Sequence, residues 1–226
     1  MSYQNAGSDS SPSLTTSRGC KDPGAAAKLG TARAFSPNEV IFWEGDSATK
    51  YYRVTHGAVR LCKSFADGRR QVVAFHLVDE IFGFERSSTH AVSAEATTNS
   101  SLLILPVRNA DGGDDEHIRH VALNSALFNL ERAHLHAFAL ALMLAPERIA
   151  TFLLDLAERL GSDAFDLPMS RIDVADYLGL TLETVSRTLT GFARQGLIRM
   201  PIARRNVVLC DKPALTRLRA AGRKSV

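Results

Sequence analysis

The hydrophobic period of this chain changes at Gly112-Gly113, and that change limits the fold more than any other feature. Upstream, apolar residues come in short runs: Val40-Ile41-Phe42, Tyr51–Val54, Ala58–Cys62, Gln71–Leu77, His90–Ala94 and Leu102–Leu105. Turn residues separate them, among them Gly45-Asp46, His56-Gly57, Asp67-Gly68 and Gly83. Short strands at such spacing predict a closed antiparallel roll over 31–112. Asp67-Gly68 favours a tight hairpin, because both central positions tolerate positive φ. The absence of strand–helix alternation weighs against a nucleotide-binding α/β layer.

Downstream, Leu123, Leu127, Leu130, His134, Ala137, Ala141 and Leu144 recur at spacings of four and three, a heptad-type seam. This predicts a long helix that carries the seam through 123–144, within a segment 113–145. Phe128, Leu135, Phe138 and Leu142 form a second stripe on another face. The simplest arrangement packs one stripe on the roll and the other on the same helix of a second copy. A core helix within one chain is the alternative. Pro146 then suits the first turn of a new helix, Glu147–Leu160.

After a short strand at Phe165–Leu167, Ser170 is placed to cap a helix that Gly179 stops at Leu178. Thr181 caps the next, which runs from Leu182 to about Gln195 before Gly196. Two short helices joined by a glycine-containing turn form a helix-turn-helix. Ala175 supplies the small residue where the helices cross, and Val185 and Leu189 face inward at i,i+4. Asn206–Leu209 fits a strand of a small wing, and Asp211–Ala220 a terminal helix. The whole is an α+β chain: a polar arm at 1–30, an antiparallel β-roll at 31–112, a dimerisation helix at 113–145 and a winged helix-turn-helix at 146–226.

Charge gives the C-terminal part a partner. The net charge is only +3, yet residues 182–226 carry ten Lys/Arg against two Asp/Glu. A basic segment of this kind is the electrostatic footprint of a nucleic-acid binder, although a solvated basic tail has the same composition. On the second helix, Glu183, Ser186, Arg187 and Thr190 lie opposite the apolar face. An arginine fork pairs with guanine O6 and N7, a glutamate accepts from cytosine N4, and a serine serves either. Glu183, Ser186 and Arg187 are the base-reading candidates; Arg171, Thr181, Thr190, Arg204 and Arg205 are candidates for the DNA backbone.

The run Arg171-Ile-Asp-Val-Ala-Asp-Tyr-Leu-Gly-Leu-Thr-Leu-Glu-Thr-Val-Ser-Arg-Thr-Leu, ending at Leu189, resembles the helix-turn-helix of the Crp/Fnr family of bacterial transcription regulators. Glu183-x-x-Ser186-Arg187 is similar to its Fnr and FixK branches, which read TTG(A)-type half-sites of an inverted repeat. The cyclic-AMP receptor branch has arginine before the glutamate; here Leu182 stands there. Trp43-Glu-Gly-Asp-Ser-Ala is similar to the family's first roll turn, and Gly57-Ala-Val-Arg-Leu and Ala66-Asp-Gly-Arg-Arg-Gln-Val-Val-Ala-Phe-His-Leu resemble the FixK form of its central hairpin; the helix at 117–144 resembles the family's long dimerisation helix. The resemblance covers about residues 30–220.

It implies a cyclic-nucleotide-binding-like roll, a homodimer, and a regulator of low-oxygen, nitrogen-fixation or respiratory genes, with RNA polymerase as a partner if it activates. A 4Fe–4S cluster needs four thiolates, and the chain has Cys20, Cys62 and Cys210. Arg86-Ser87 falls in a loop beside Gly83, away from the His90–Ser93 stretch where the family places its phosphate arginine. His76 and His134 read as packed residues rather than haem ligands, and His134 on the seam as a modest pH-sensitive group. The expectation is a protein without a cofactor or metal, binding DNA in air with no added ligand.

Cys210 is a redox candidate if nearby cations lower its pKa, or a small buried apolar residue beside Leu209. No nucleophile, phosphate-loop or metal-ligand motif marks an enzyme. The alternative class is a cupin-like small-molecule-binding roll, or an enzyme with an unrelated helical domain; His76, Glu85 and His90 do not supply its ligand spacing. A dimeric scaffold without DNA binding leaves the basic segment without a role. The longest apolar run, Ala137–Ala145, is too short to cross a bilayer, the N-terminus lacks a secretory signal, and the cysteines fit no disulfide framework, so a cytoplasmic setting is expected.

Overall fold

The computed structural model describes residues 30–106, 116–200 and 205–221. The expected arm up to residue 29, with Cys20, and also Gly112-Gly113 and Arg204, lie outside the described residues. Eight strands form the roll as two four-stranded antiparallel sheets. One runs β1 (Thr31–Phe35), β8 (Ser100–Pro106), β3 (Lys50–His56), β6 (Ile81–Phe82); the other runs β2 (Val40–Phe42), β7 (Ser93–Ala96), β4 (Val59–Ser64), β5 (Arg70–His76). Phe42, Val54, Val59, Phe82, Ala94 and Leu102 fill the space between them. Gly57, at φ 79°, is needed where the β3–β4 turn passes Ser100: a Cβ there would collide with the Ser100 side chain. β1 and β6 are additions to the expected strands, and the strand expected at His90–Ala94 is instead Ser93–Ala96. His90 is bonded to the Gly45-Asp46 turn instead, its N–H donating to Asp46 O and its carbonyl accepting from the Gly45 N–H, both at 2.9 Å, with its ring 3.6 Å from that of Phe42.

The long helix α1 spans Glu116–Leu142 and is followed by α2 (Ala145–Leu160). Leu144, expected on the seam, is not on α1. Pro146 has no N–H to give to Leu142, and the Leu144 N–H donates instead to the Glu147 carboxylate at 2.8 Å, opening α2. The expected packing of one apolar stripe on the roll is also corrected. Leu127 of the first stripe is 54% exposed and Phe138 of the second 59%. Leu123, Phe128, Leu130, Leu135 and Leu142 are exposed as well, as are His134, Ala137 and Ala141. The face of α1 turned to its own chain is mixed: Val121, Ala122, Ala139 and Leu140 share it with Ser125, Asn129, Arg132 and His136. Asn129 Nδ2 donates to Ile81 O at 3.0 Å, and the Arg132 guanidinium reaches Asp155 at 3.2 Å.

The C-terminal part contains β9 (Ala164–Asp166), α3 (Arg171–Leu178), α4 (Leu182–Arg194), β10 (Ile198–Arg199), β11 (Asn206–Leu209) and α5 (Lys212–Ala221). Its antiparallel sheet runs β10-β11-β9. Ile149, Leu153, Val174, Val185, Leu189 and Val207 share one core with Cys62, Val72 and Phe75 of the roll.

Candidate nucleic-acid interface

Local capping builds the helix-turn-helix. The Ser170 hydroxyl accepts from the Asp173 N–H at 3.1 Å, and the Asp173 carboxylate accepts from the Ser170 N–H at 3.1 Å, a reciprocal pair that starts α3. Gly179, at φ 61°, ends it, and the Leu180 N–H returns to Ala175 O at 3.0 Å. Thr181 Oγ1 then accepts from the Thr184 N–H at 3.1 Å and starts α4. Ala175 is buried at the crossing, and Val185, Leu189 and Phe192 form the inner face of α4.

The opposite face is open. Glu183 and Arg187 are exposed and paired at 2.5 Å, so in the free protein the guanidinium is already oriented along the first turns of α4. Ser186 is half-buried between them. Thr190 lies one turn on, but its hydroxyl donates to Ser186 O at 2.8 Å, and that of Thr181 meets Thr184 Oγ1 at 2.9 Å. Both threonines therefore serve α4 itself. Arg171 is half-buried at the start of α3, and Arg205 is exposed beside β11. The periodicity that selected Arg187 also reaches Arg194, seven residues further and exposed, which the sequence reading passed over.

Cys210 is exposed, against its alternative as a buried apolar residue; its Sγ lies 3.6 Å from Val208 O. Cys62 is buried, and burial together with the Glu95 carboxylate pushes its thiol up to about 11. Arg86 and Ser87 fall in a bend between β6 and β7, and the Glu85 carboxylate accepts from the Ala91 N–H at 3.2 Å. Between roll and α1 lies a cavity of about 340 Å³ with an aromatic lining that includes Phe42, Phe75, Phe82, Phe84 and Tyr177. The guanidinium at its edge, Arg132, is engaged by Asp155 and Glu80. Among the described residues, no group of three or more His, Cys, Asp or Glu is placed to hold a metal ion, and no helix is long and apolar enough to cross a membrane.

Comparison with known proteins agrees with this geometry. Residues 147–218 match a Crp-like helix-turn-helix domain, and residues 32–111 a cyclic nucleotide-binding domain. Over 171 residues the chain is 46% identical to the nitrogen fixation regulation protein FixK of Rhizobium meliloti, covering 75% of this chain and 79% of that protein. The chain belongs to the Crp/Fnr family of transcription regulators. This Crp/Fnr protein is also 42% identical to FixK of Azorhizobium caulinodans over 200 residues, 85% of this chain and 80% of that one. The solved structure of FixK2 from Bradyrhizobium japonicum superposes with a TM-score of 0.78 at 38% identity, covering 84% of this chain and 97% of that one. A Crp/Fnr protein with this helix-turn-helix is a DNA-binding transcription regulator, not an enzyme.

Proposed function

We propose that this Crp/Fnr regulator is a cytoplasmic homodimeric activator that reads an Fnr/FixK-type inverted repeat with TTG(A)-containing half-sites. Its targets are low-oxygen, nitrogen-fixation or respiratory genes, and RNA polymerase is its partner there. The observation that carries the reading is the exposed Glu183–Arg187 pair on the N-terminal half of α4. With Ser186, these side chains address the guanine-containing pair of each half-site. Arg194 and Arg205, with Arg171 and Arg204, hold phosphates. Thr181 and Thr190 contribute to backbone contact only where their hydroxyls exchange an internal partner for a phosphate oxygen. The exposed leucines and phenylalanines of α1 pair with those of a second copy, which places the two recognition helices about 34 Å apart along the duplex. In this division the roll occupies 31–112, the dimer helix 113–145 and the reading head 146–226.

The regulator works without a small-molecule effector. The cavity beneath α1 is aromatic, and its guanidinium is already committed to carboxylates, so a phosphate finds no free cation there. Selection from a random DNA pool with aerobically purified protein tests the whole reading. An inverted repeat with TTG in each half is expected; a pool that yields no repeat, or yields one only after nucleotide is added, contradicts it.

A further inference from the structure

The first helix of a helix-turn-helix has a supporting role, and its charged residues ordinarily face water. In α3 they do not. Asp173 is 3% exposed. Its Oδ1 accepts from Arg60 Nη1 of β4 at 3.0 Å and from Arg70 Nη2 of β5 at 2.8 Å, while Oδ2 is held in the Ser170 cap. One turn on, Asp176 Oδ2 accepts from Arg70 Nε at 2.9 Å and from its Nη2 at 2.6 Å. Arg60 is fixed from behind by Glu95 of β7 and by Asn38 Oδ1 at 3.0 Å. Two neutral bonds run parallel to the ionic ones: Gln71 Nε2 donates to Asp176 O at 2.6 Å, and Thr97 Oγ1 to Pro168 O at 2.6 Å.

Burying such charges is a poor way to gain stability, since apolar residues of equal volume serve as well or better. What planar guanidinium forks supply is direction. α3 in turn carries α4 through Val174, Ala175 and Leu178 packed with Val185 and Leu189. Any rotation of α3 on the roll therefore swings the recognition helix. We infer that the Arg60–Asp173–Arg70–Asp176 junction is a positioning device: it sets the angle of the reading head on the roll, and thereby the half-site spacing that the dimer accepts. The inference rests on the dimeric DNA-binding reading above.

The test uses the Arg70–Asp176 pair, both about a quarter exposed, with neutral substitutions, because Arg70 also donates to the buried Asp173 and a carboxylate at position 70 would face it. Full-length wild type, Arg70→Gln, Asp176→Asn and the double variant are titrated against duplexes with the selected half-sites at altered spacers, and against a single half-site. Arg70→Gln is expected to lose roughly tenfold in affinity at the preferred spacer, to bind the neighbouring spacers nearly as well, and to keep single half-site affinity within about twofold; Asp176→Asn is expected to lose less in the same pattern, and the double variant to lose less than the two combined, because both remove the same bonds. Should Arg70→Gln not fold, Asp176→Asn carries the same measurement. A folded variant with the wild-type spacer profile, or an equal loss on every duplex including the half-site, overturns the junction's role. A wild type that selects no inverted repeat overturns the preceding reading and this one with it.

Discussion

His136 and Tyr177 stack face to face, their ring centroids 3.9 Å apart and 7° from parallel, and so join α1 directly to the first helix of the helix-turn-helix. Burial, with Arg132 and Arg148 nearby, holds the His136 imidazole down at about 4. The free imidazole titrates near 6.5, so the fold prefers the neutral ring. That preference is fully present above about pH 6.5 and is lost as pH falls towards 4. His76, lowered chiefly by its burial, adds to the same trend. Urea midpoints should therefore drop between pH 7 and pH 4.5, with His136 accounting for ~2 kcal/mol after allowance for its partial solvent contact. In His136→Phe, which keeps a ring on Tyr177, the slope should flatten.

Arg159 should be costly to remove from the interior. Its guanidinium donates to both Glu80 oxygens at 2.8 Å, to Phe75 O at 2.7 Å and to Asp155 at 3.1 Å. His76 and Arg159 together overcome the burial of Glu80 and hold its carboxyl at about 2. Arg159→Ala should cost about 3–5 kcal/mol in denaturant unfolding, because Glu80 is left buried with a missing partner. Arg53→Ala, which removes a partner of the exposed Asp79, should cost at most about 1 kcal/mol. Equal costs would contradict the distinction.

Base reading and phosphate holding separate by salt and sequence. Arg187→Ala should lose roughly 1–3 kcal/mol on the selected repeat and relax preference at its guanine, with little change on random DNA. Arg194→Ala and Arg205→Ala should weaken both alike and reduce the salt slope by about one unit each. Gel shifts at two salt concentrations distinguish them; equal losses on both DNAs for Arg187→Ala would remove it from base recognition.

Leu127→Glu and Phe138→Glu should each yield a monomer that keeps its fold, since both side chains are exposed in the single chain and a glutamate harms only a buried seam. Sedimentation reads the mass, and DNA binding should vanish with the dimer. A variant that remains dimeric places the interface elsewhere.

The thiols should respond differently to alkylation of the native protein at pH 8. Cys210 is exposed and should react within minutes; Cys62, buried and shifted to about 11, should react only on unfolding. Peptide mass spectrometry before and after urea checks both.

The helix-turn-helix was legible because its signals are local: Ser170, Gly179 and Thr181 each act within four residues of themselves. β1 was not, since Thr31 to Ala34 are all exposed and only pairing with β8 makes them a strand. The inward face of α1 was hidden by chemistry. Asn129 and Arg132 read as solvent-facing until Ile81 O and Asp155, distant in sequence, supply their partners. The same holds for Asp173, whose partner Arg70 lies 103 positions away. Periodicity identifies apolar faces; it carries no record of which polar residues will meet.

Phe75 of the roll packs on Tyr177 at 5.1 Å and on Phe152 at 6.2 Å, inside the core that both halves fill. A chimera cut at the glycine pair near 112 would thus carry away a reading head with a bare aromatic socket. Transplanting DNA specificity between relatives is better done by exchanging the solvent face of α4 than by exchanging halves, because the seam between halves is welded whereas the bonds of Glu183, Arg187 and Thr190, among the described residues, stay within α4 itself.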